Sequence, residues 1–512
     1  MAEERGDGHR SGGARPDPAS SSKRRSESMI RAAFRGLAGA LDVAAIIASY
    51  YVAAWILPGI DHSDLTSHAS WYADCVVLAL AWLAGLSLLD LDSPRHWRRF
   101  AYAWPRAVFA TGSATIAGFG LVELVTNVPD HVRYAVLIGS QVFAVLASAH
   151  RALLYRTIPR RAIERRLLLV GDAPGTAELR QALRRPEDPL MEYVGLVPLG
   201  DAPQDAKVMG PVFEPGELQE VVAREGVTDL VLCHRQPVPE VVARALSESA
   251  LRGVSTPRLE EAYEEVTGKA AIFYFEDDEW LAGVRWVETN LYATKIKRAL
   301  DVLVSLALLP LAVLIIAICA IAIKVDSPGP VFYTQRRIGL RGRRFTLVKL
   351  RTMIDVEEQG PRAGGDGLPE AKPRPDDPRI TKVGRTLRAV SLDELPQLLL
   401  VLKGEMSLVG PRPEQPHLVE RYQAEVPLYN QRHFVRPGLT GWAQVRQSYS
   451  ESLDDVASKV QYDLYYISNL SMRLDVLILM KTIGVVILQP KRRTRRSRKP
   501  PEPPAEKGPR QP

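Results

Sequence analysis

The chain has 512 residues, 46% of them hydrophobic and 24% charged, with a formal net charge of +7. That length allows two or three domains, and the mixture excludes both a wholly disordered chain and a bare membrane bundle. The positive surplus suits nucleic acid, an anionic membrane face or phosphorylated substrates, but many basic residues flank apolar segments or crowd the end of the chain, which points first to membrane. Cys75, Cys233 and Cys319 are far apart, so neither a disulfide framework nor a zinc knuckle is indicated, and a reducing cytoplasm suits them.

Residues 1–29, rich in Gly, Ser, Arg and Glu, lack the short apolar core and small-residue cleavage site of a signal peptide and are expected to form a disordered cytoplasmic arm. Four apolar runs follow, at residues 37–57, 71–89, 105–125 and 134–154, each close to the roughly 20 residues that cross a bilayer. Each carries a blemish such as Asp42 or Asp74, so a buried soluble core is the alternative. Four runs in succession, with Trp55, Trp71, Tyr72, Trp104 and Tyr134 near their ends, favour crossing. Arg31 and Arg35 precede the first run. Arg95, Arg98, Arg99 and Arg106 separate the second from the third, and Arg151, Arg156, Arg160, Arg161, Arg165 and Arg166 follow the fourth. All of these would be cytoplasmic, with the loops at 58–70 and 126–133 facing outward.

Residues 157–290 are assigned to a soluble α/β domain. The apolar strand Leu167–Val170, the turn GDAPG, a helix from Thr176 to Leu183 and a second buried strand at Thr228–Cys233 form a Rossmann-like pattern. A dinucleotide fingerprint needs three spaced glycines for close approach to a pyrophosphate. Here Gly171 is followed by Ala173 and Thr176 at the other two positions, so a packing or regulatory domain is the stronger reading.

From Ala299 to Ile323 a fifth apolar segment of about 25 residues is long enough to span. Its flanks disagree with spanning: Lys295, Lys297 and Arg298 lie on one side, Lys324, Arg336 and Arg337 on the other. Pro310, near the middle, removes a backbone hydrogen bond and can bend an entering helix back toward its original side. An ordinary kinked transmembrane helix stays open on these facts.

Beyond residue 326 the sequence carries chemistry: SPGPVFYTQRRIG, FTLVKLRTM, DPRITKVGRTLRAVSLDELPQL, MSLVGPRPE and RPGLTGWAQV, all within residues 327–445. Asp393 and Glu394 are adjacent acids among Arg379, Arg385, Arg388 and Arg412, and nearby cations keep a carboxylate ionised and nucleophilic. The bland alternative is a capping box from Ser391 to Glu394. Pro396 argues against it and favours a helix that starts at Pro396, with both acids just before it. In RPGLTGWAQV, Arg436 can bind phosphate, Gly438 and Gly441 are expected at turns, and Trp442 packs or sits at the interface.

These motifs, in this order over about 190 residues, resemble the bacterial sugar transferase family, the monotopic polyprenyl-phosphate phosphosugar transferases. The four upstream runs and α/β unit are similar in layout to its large undecaprenyl-phosphate galactose or glucose phosphotransferases. The resemblance implies a UDP-sugar and undecaprenyl phosphate as substrates, Asp393 as the nucleophile of a covalent intermediate, and Glu394 as a catalytic partner that helps hold Mg²⁺. It places Arg388 and Arg412 on phosphate oxygens, with Lys349 and Arg351 as lesser candidates. It also turns the segment around Pro310 into a re-entrant helix that leaves on the cytoplasmic side.

The expected architecture is therefore a membrane α-helical bundle, a Rossmann-like α/β domain and a mainly α-helical, membrane-associated catalytic domain with a re-entrant helix. Its divisions are 1–29, 30–156, 157–290, 291–490 and a basic disordered tail at 491–512 drawn to anionic lipid. The location is the bacterial cytoplasmic membrane, multi-pass, with the catalytic domain on the cytoplasmic face; no nucleic-acid partner is expected and a homo-oligomer is allowed. A Pro/Gly-rich insert at 359–375 reads as a mobile loop or as disorder. Two rivals remain. A membrane-anchored nucleotide-sugar dehydratase or epimerase would need a Tyr-x-x-x-Lys pair that the chain lacks, and a non-catalytic assembly scaffold leaves the acid pair unexplained.

Overall fold

The computed structural model describes residues 36–49, 130–157, 164–171, 175–184, 190–200, 210–234 and 238–272, with shorter stretches before residue 113, and then 291–354, 377–447 and 452–488. The expected arm, most of the second and third apolar runs, the insert at 359–375 and the basic tail lie outside the described residues. The chain divides into two compact units, Met1–Ala262 and Tyr263–Pro512.

In the first unit, helix α1 (Gly36–Ser49) is apolar, and helix α2 (Asp130–Thr157) runs 28 residues. They meet at a buried charge. Asp42, 4% exposed, accepts Arg151 Nε at 3.1 Å and Trp82 Nε1 at 3.0 Å, and Arg151 Nη2 also reaches it. His150 Nε2 lies 3.0 Å from Asp42 Oδ1. Asp42 is thus a paired structural acid. Arg151, expected among the cytoplasmic loop charges, lies inside α2 and is 4% exposed. A charge withdrawn into a helix–helix contact no longer reports the side of a membrane on which a loop lies.

In the α/β region the expected strand at 167–170, helix from Thr176 and strand at 228–233 are present, and a further strand joins them. Strands β1 (Arg165–Val170), β2 (Met191–Val197) and β3 (Asp229–Leu232) form a parallel sheet in the order β2-β1-β3, with helix α3 (Thr176–Arg184) after β1. The central strand is a buried apolar run, as a sheet covered on both faces requires. Arg165 pairs with Asp229 at 2.5 Å and Arg166 with Glu192 at 3.0 Å, so these arginines too are engaged within the domain. Gly171 has a φ of 110°, and a Cβ there would strike the Cys233 carbonyl. Its lack of a side chain is accounted for by the close approach of two strand ends, with no pyrophosphate invoked. Helices α4 (Leu218–Arg224), α5 (Glu240–Leu251) and α6 (Leu259–Thr267) complete this part of the chain.

The second unit opens at Tyr263, within α6, and takes in residues 268–272, which composition had placed with the α/β domain. Ala270 N–H donates to the Gln461 carbonyl at 3.0 Å, and Ala270 and Ile272 join the core formed by Val401, Met406, Val460 and Leu464. Helix α7 (Lys297–Asp326) is, among the described residues, the one helix long and apolar enough to cross a membrane, and only 17% of its most apolar window is buried. Helical structure continues through Pro310. The expected break is therefore one missing hydrogen bond within a single helix; it does not divide α7 into two pieces.

Both ends of α7 hold the same body. Near its start, Arg298 donates to the Val401 and Leu402 carbonyls at 2.6 and 2.8 Å, and Asp301 receives the Leu408 N–H at 3.1 Å. Lys297 Nζ and the Tyr292 hydroxyl both donate to Asp475 Oδ2 at 2.6 Å. At its end, Asp326 receives the Val383 N–H at 3.0 Å, and Cys319 and Ile323 pack on Leu350 and Leu387. Hairpin β4 (Phe332–Ile338) and β5 (Arg344–Leu350), helix α8 (Lys382–Ala389), helix α9 (Leu398–Lys403), the short parallel pair β6 (Ser407–Val409) and β7 (Gly438–Thr440), and helices α10 (Pro416–Glu425), α11 (Trp442–Arg446), α12 (Leu453–Ser468) and α13 (Met472–Leu488) form the rest. The unit is mostly helical, with small sheets.

Candidate active site

Asp393 and Glu394 sit inside a 3₁₀ turn, Leu392–Gln397, that runs directly into α9. The structure differs here from the expectation that the acids precede a helix begun at Pro396. A 3₁₀ turn is short enough to absorb Pro396 at the cost of one donor. Ser391 forms no capping bond and instead adopts a left-handed conformation with φ 57°, which re-aims the chain after α8.

The turn gives the two acids different surroundings. Glu394 Oε1 accepts Lys349 Nζ at 2.7 Å and Arg412 Nη2 at 2.8 Å. Asp393 is 8% exposed, and its carboxylate accepts no hydrogen bond among the described residues. Burial works to raise the Glu394 carboxyl, but Arg412 and Lys349 outweigh it and bring it down to about 2. For Asp393 burial wins: its carboxyl is held above the usual aspartate value, with Glu394 adding to the rise and Lys349, Arg412 and Arg388 opposing it. Burial also pulls the Lys349 ammonium below its ordinary value, against the attraction of Glu394. Two neighbouring acids driven apart in this way are suited to two different tasks.

Of the predicted basic residues, Lys349 on β5 and Arg412 meet at Glu394. Arg388 stands within electrostatic reach of Asp393, its Nε donating to Thr352 Oγ1 at 2.9 Å. Gly384, one turn earlier on α8, allows that placement, because a Cβ there would collide with the Thr352 carbonyl. Arg351 and Arg436 are not brought to the pair. Arg351, 6% exposed, ties the end of β5 to the exit of α7, donating to the Pro328 and Ser327 carbonyls at 2.6 and 2.7 Å. Arg436 Nε caps α9 through the Gly404 carbonyl at 3.0 Å.

Gly438 and Gly441 are not turn glycines with positive φ. A Cβ on Gly438 would meet the Gly410 nitrogen and one on Gly441 the Gly410 carbonyl, so the GPRPE and RPGLTGW segments are welded backbone to backbone. Trp442 packs, as expected, at 4% exposure, donating Nε1–H to the Gly268 carbonyl at 2.8 Å and stacking on Tyr465.

The sequence reading missed a layer of buried ion pairs behind Arg412. Glu414 is met by Arg337 at 3.5 Å and by Lys459, and Asp463 by Arg432 at 2.7 Å. The available signal was the acid in GPRPE itself and the i, i+4 spacing of Lys459 and Asp463 on α12.

The family model for the bacterial sugar transferases matches residues 292–489. A UDP-glucose:undecaprenyl-phosphate glucose-1-phosphate transferase of Caulobacter vibrioides is 43% identical over 189 residues, covering 36% of this chain and 68% of the relative. The exopolysaccharide production protein ExoY of Sinorhizobium fredii is 38% identical over 200 residues, covering 38% of this chain and 85% of the relative. The chain belongs to the bacterial sugar transferase family. A UDP-N-acetylgalactosamine-undecaprenyl-phosphate N-acetylgalactosaminephosphotransferase of Aeromonas hydrophila is 39% identical over 245 residues, 48% of this chain, and the match spans 55% of that relative's length. The family match contains every element that builds the acid pair and its cations, from α7 through α13.

Proposed function

We propose that the protein transfers a phosphosugar from a UDP-sugar to undecaprenyl phosphate, releasing UMP, as the initiating step of exopolysaccharide or O-antigen assembly. The observation that carries this reading is the divided acid pair: Glu394 held by Lys349 and Arg412, beside a buried Asp393 with no donor spent on it. Asp393 attacks the sugar-bearing phosphorus, the bond from that phosphorus to the bridging oxygen breaks, and UMP leaves with its electrons. An oxygen of the lipid phosphate then attacks the same phosphorus and displaces the Asp393 carboxylate. Arg388, Lys349 and Arg412 lie where cations would balance the phosphate charge.

Among the described residues no cluster of three or more metal-type ligands exists. Mg²⁺ commonly takes only one or two carboxylates together with substrate phosphates and water, so Glu394 fits as its protein ligand when substrate is bound. The ion would neutralise charge on the diphosphate. The test is purified protein with Mg²⁺, polyprenyl phosphate and a panel of UDP-sugars. UMP release with at least one of them is expected, and none with any would sink the reading.

We read the whole chain as a multi-pass membrane bundle, a Rossmann-like domain and a catalytic domain on the cytoplasmic face, with α7 re-entrant. Support for re-entry comes from the contacts at both ends of α7 with one stretch of chain, residues 383–408, although a straight 30-residue helix would separate its ends by about 45 Å. Single cysteines placed at Lys295 and Ser327, in a background without native cysteines, should both resist an impermeant reagent on intact cells and react after lysis. Labelling of the Ser327 position from outside would overturn the re-entrant topology.

A further inference from the structure

The segment that carries Arg412 has an unusual problem. Pro411 and Pro413 flank it, and neither has an N–H, so Pro411–Pro413 can be fixed in space mainly through its carbonyls. All three are held. The Pro411 carbonyl accepts from Gly438 N at 2.9 Å, the Arg412 carbonyl from Arg432 Nη2 at 2.9 Å, and the Pro413 carbonyl from Arg337 Nη1 at 3.1 Å. Two of the three donors are side chains of arginines anchored in turn by buried acids.

Arg432 is 3% exposed. Its Nη2 forks between the Arg412 carbonyl and Asp463 Oδ2, the latter at 2.7 Å, while Nη1 donates to the Tyr429 hydroxyl at 2.9 Å. Asp463 is 1% exposed and comes from α12, an element that supplies no residue to the acid pair. Lys459, one turn earlier, anchors Glu414, which faces Arg337. A buried ion pair is weak evidence for stability, since desolvation costs about as much as the attraction returns. Its fork onto the backbone of Arg412 supplies a different reason for it.

We infer that Asp463 and Arg432 are positioning residues for transfer: they fix the Pro411–Pro413 backbone so that the Arg412 guanidinium lies on Glu394. Neither is hydrogen-bonded to Asp393 or Glu394. Their effect passes through Arg412, which reaches Glu394 at 2.8 Å. This inference rests on the proposed transfer reaction, and its test separates the two.

The experiment measures kcat and KM separately for full-length wild type, Asp463→Asn, Arg412→Ala and the double variant, using a UDP-sugar the wild type accepts. Asp463→Asn should lower kcat/KM on the order of 100-fold, the cost of a small misplacement of a catalytic group. The loss should fall on kcat more than on KM, because a displaced Arg412 is missed where charge develops during transfer. The double variant should lie within about two-fold of Arg412→Ala alone, since two changes on one path do not add. If Asp463→Asn fails to fold, Arg432→Lys replaces it, keeping a buried cation near Asp463 but losing the planar fork. Losses that multiply in the double variant, a loss carried by KM with kcat unchanged, or a loss of melting temperature with wild-type kcat/KM would each overturn the inference. A wild type that releases no UMP would instead refute the transfer reaction itself.

Discussion

Asp42 and Asp393 are both buried aspartates, 4% and 8% exposed, and they have been treated in opposite ways. Asp42 is surrounded by donors: Arg151 on both oxygens, Trp82, and His150 close by. Asp393 has cations near it, but the hydrogen bonds of those cations go to Glu394 or elsewhere. A carboxylate whose lone pairs are all engaged fixes two helices together. One that is buried with its lone pairs uncommitted is held in a poor environment for its own charge, which suits the role proposed for Asp393. The contrast teaches that burial alone does not mark a reactive acid; the placing of the neighbouring donors does.

The largest test of that contrast is a matched pair of substitutions. Asp393→Asn should abolish turnover, because an amide cannot form the covalent bond, and should leave the melting temperature equal or higher, since it removes a charge the fold disfavours. Asp42→Asn should do the reverse. It leaves Arg151 buried without its counter-charge, for a loss of about 3–5 kcal/mol, while the protein that remains folded transfers at near wild-type rate. Thermal unfolding and UMP release on the same samples decide the matter, and a Tm loss for Asp393→Asn as large as that for Asp42→Asn would erase the distinction.

A smaller effect sharpens it. In the proposed reaction Asp393 must be ionised to attack, and its carboxyl is raised, so kcat/KM should fall on the acid side with an inflection above the usual aspartate value of 3.8. The stability signs of the two acids are opposite. Glu394, lowered from 4.5 to about 2, contributes stability that is present above 4.5 and lost as pH falls through about 2. Asp393, raised, contributes stability present below 3.8 that is lost as pH rises through its higher folded value. Comparing Asp393→Asn with wild type across this window should therefore show the variant's advantage growing as pH rises. A gap that is constant or shrinks with pH would contradict the assigned environment.

Much of this was legible in one dimension. The strand ending at Val170, the helix from Thr176 and the strand at 229–232 followed from apolar runs bounded by turn residues. Asp393 and Glu394 beside Arg412 were legible as charge type, while Lys349 came only as a lesser candidate from the family resemblance. What could not be read was assignment among cations of one kind. Arg351 and Arg412 look alike in sequence, yet one spends its donors on backbone carbonyls at the exit of α7 and the other reaches Glu394. Asp42 looked like a blemish because its partner is 109 positions away, and no local pattern connects them. Strand β2 was not among the expected elements, since its first half is only partly buried and lacks a clean alternation.

The glycine weld between the GPRPE and RPGLTGW segments has a consequence for anyone scanning this chain by mutagenesis. Gly410, Gly438 and Gly441 offer no side chain to a substrate, yet a methyl group at any of them strikes backbone atoms that cannot rotate away. Activity lost on substitution there would map in the middle of the transfer motifs and mimic the loss of a catalytic group. What such a substitution would report is a collision between two main chains, and a screen that scores activity without soluble yield would rank these three positions beside Asp393.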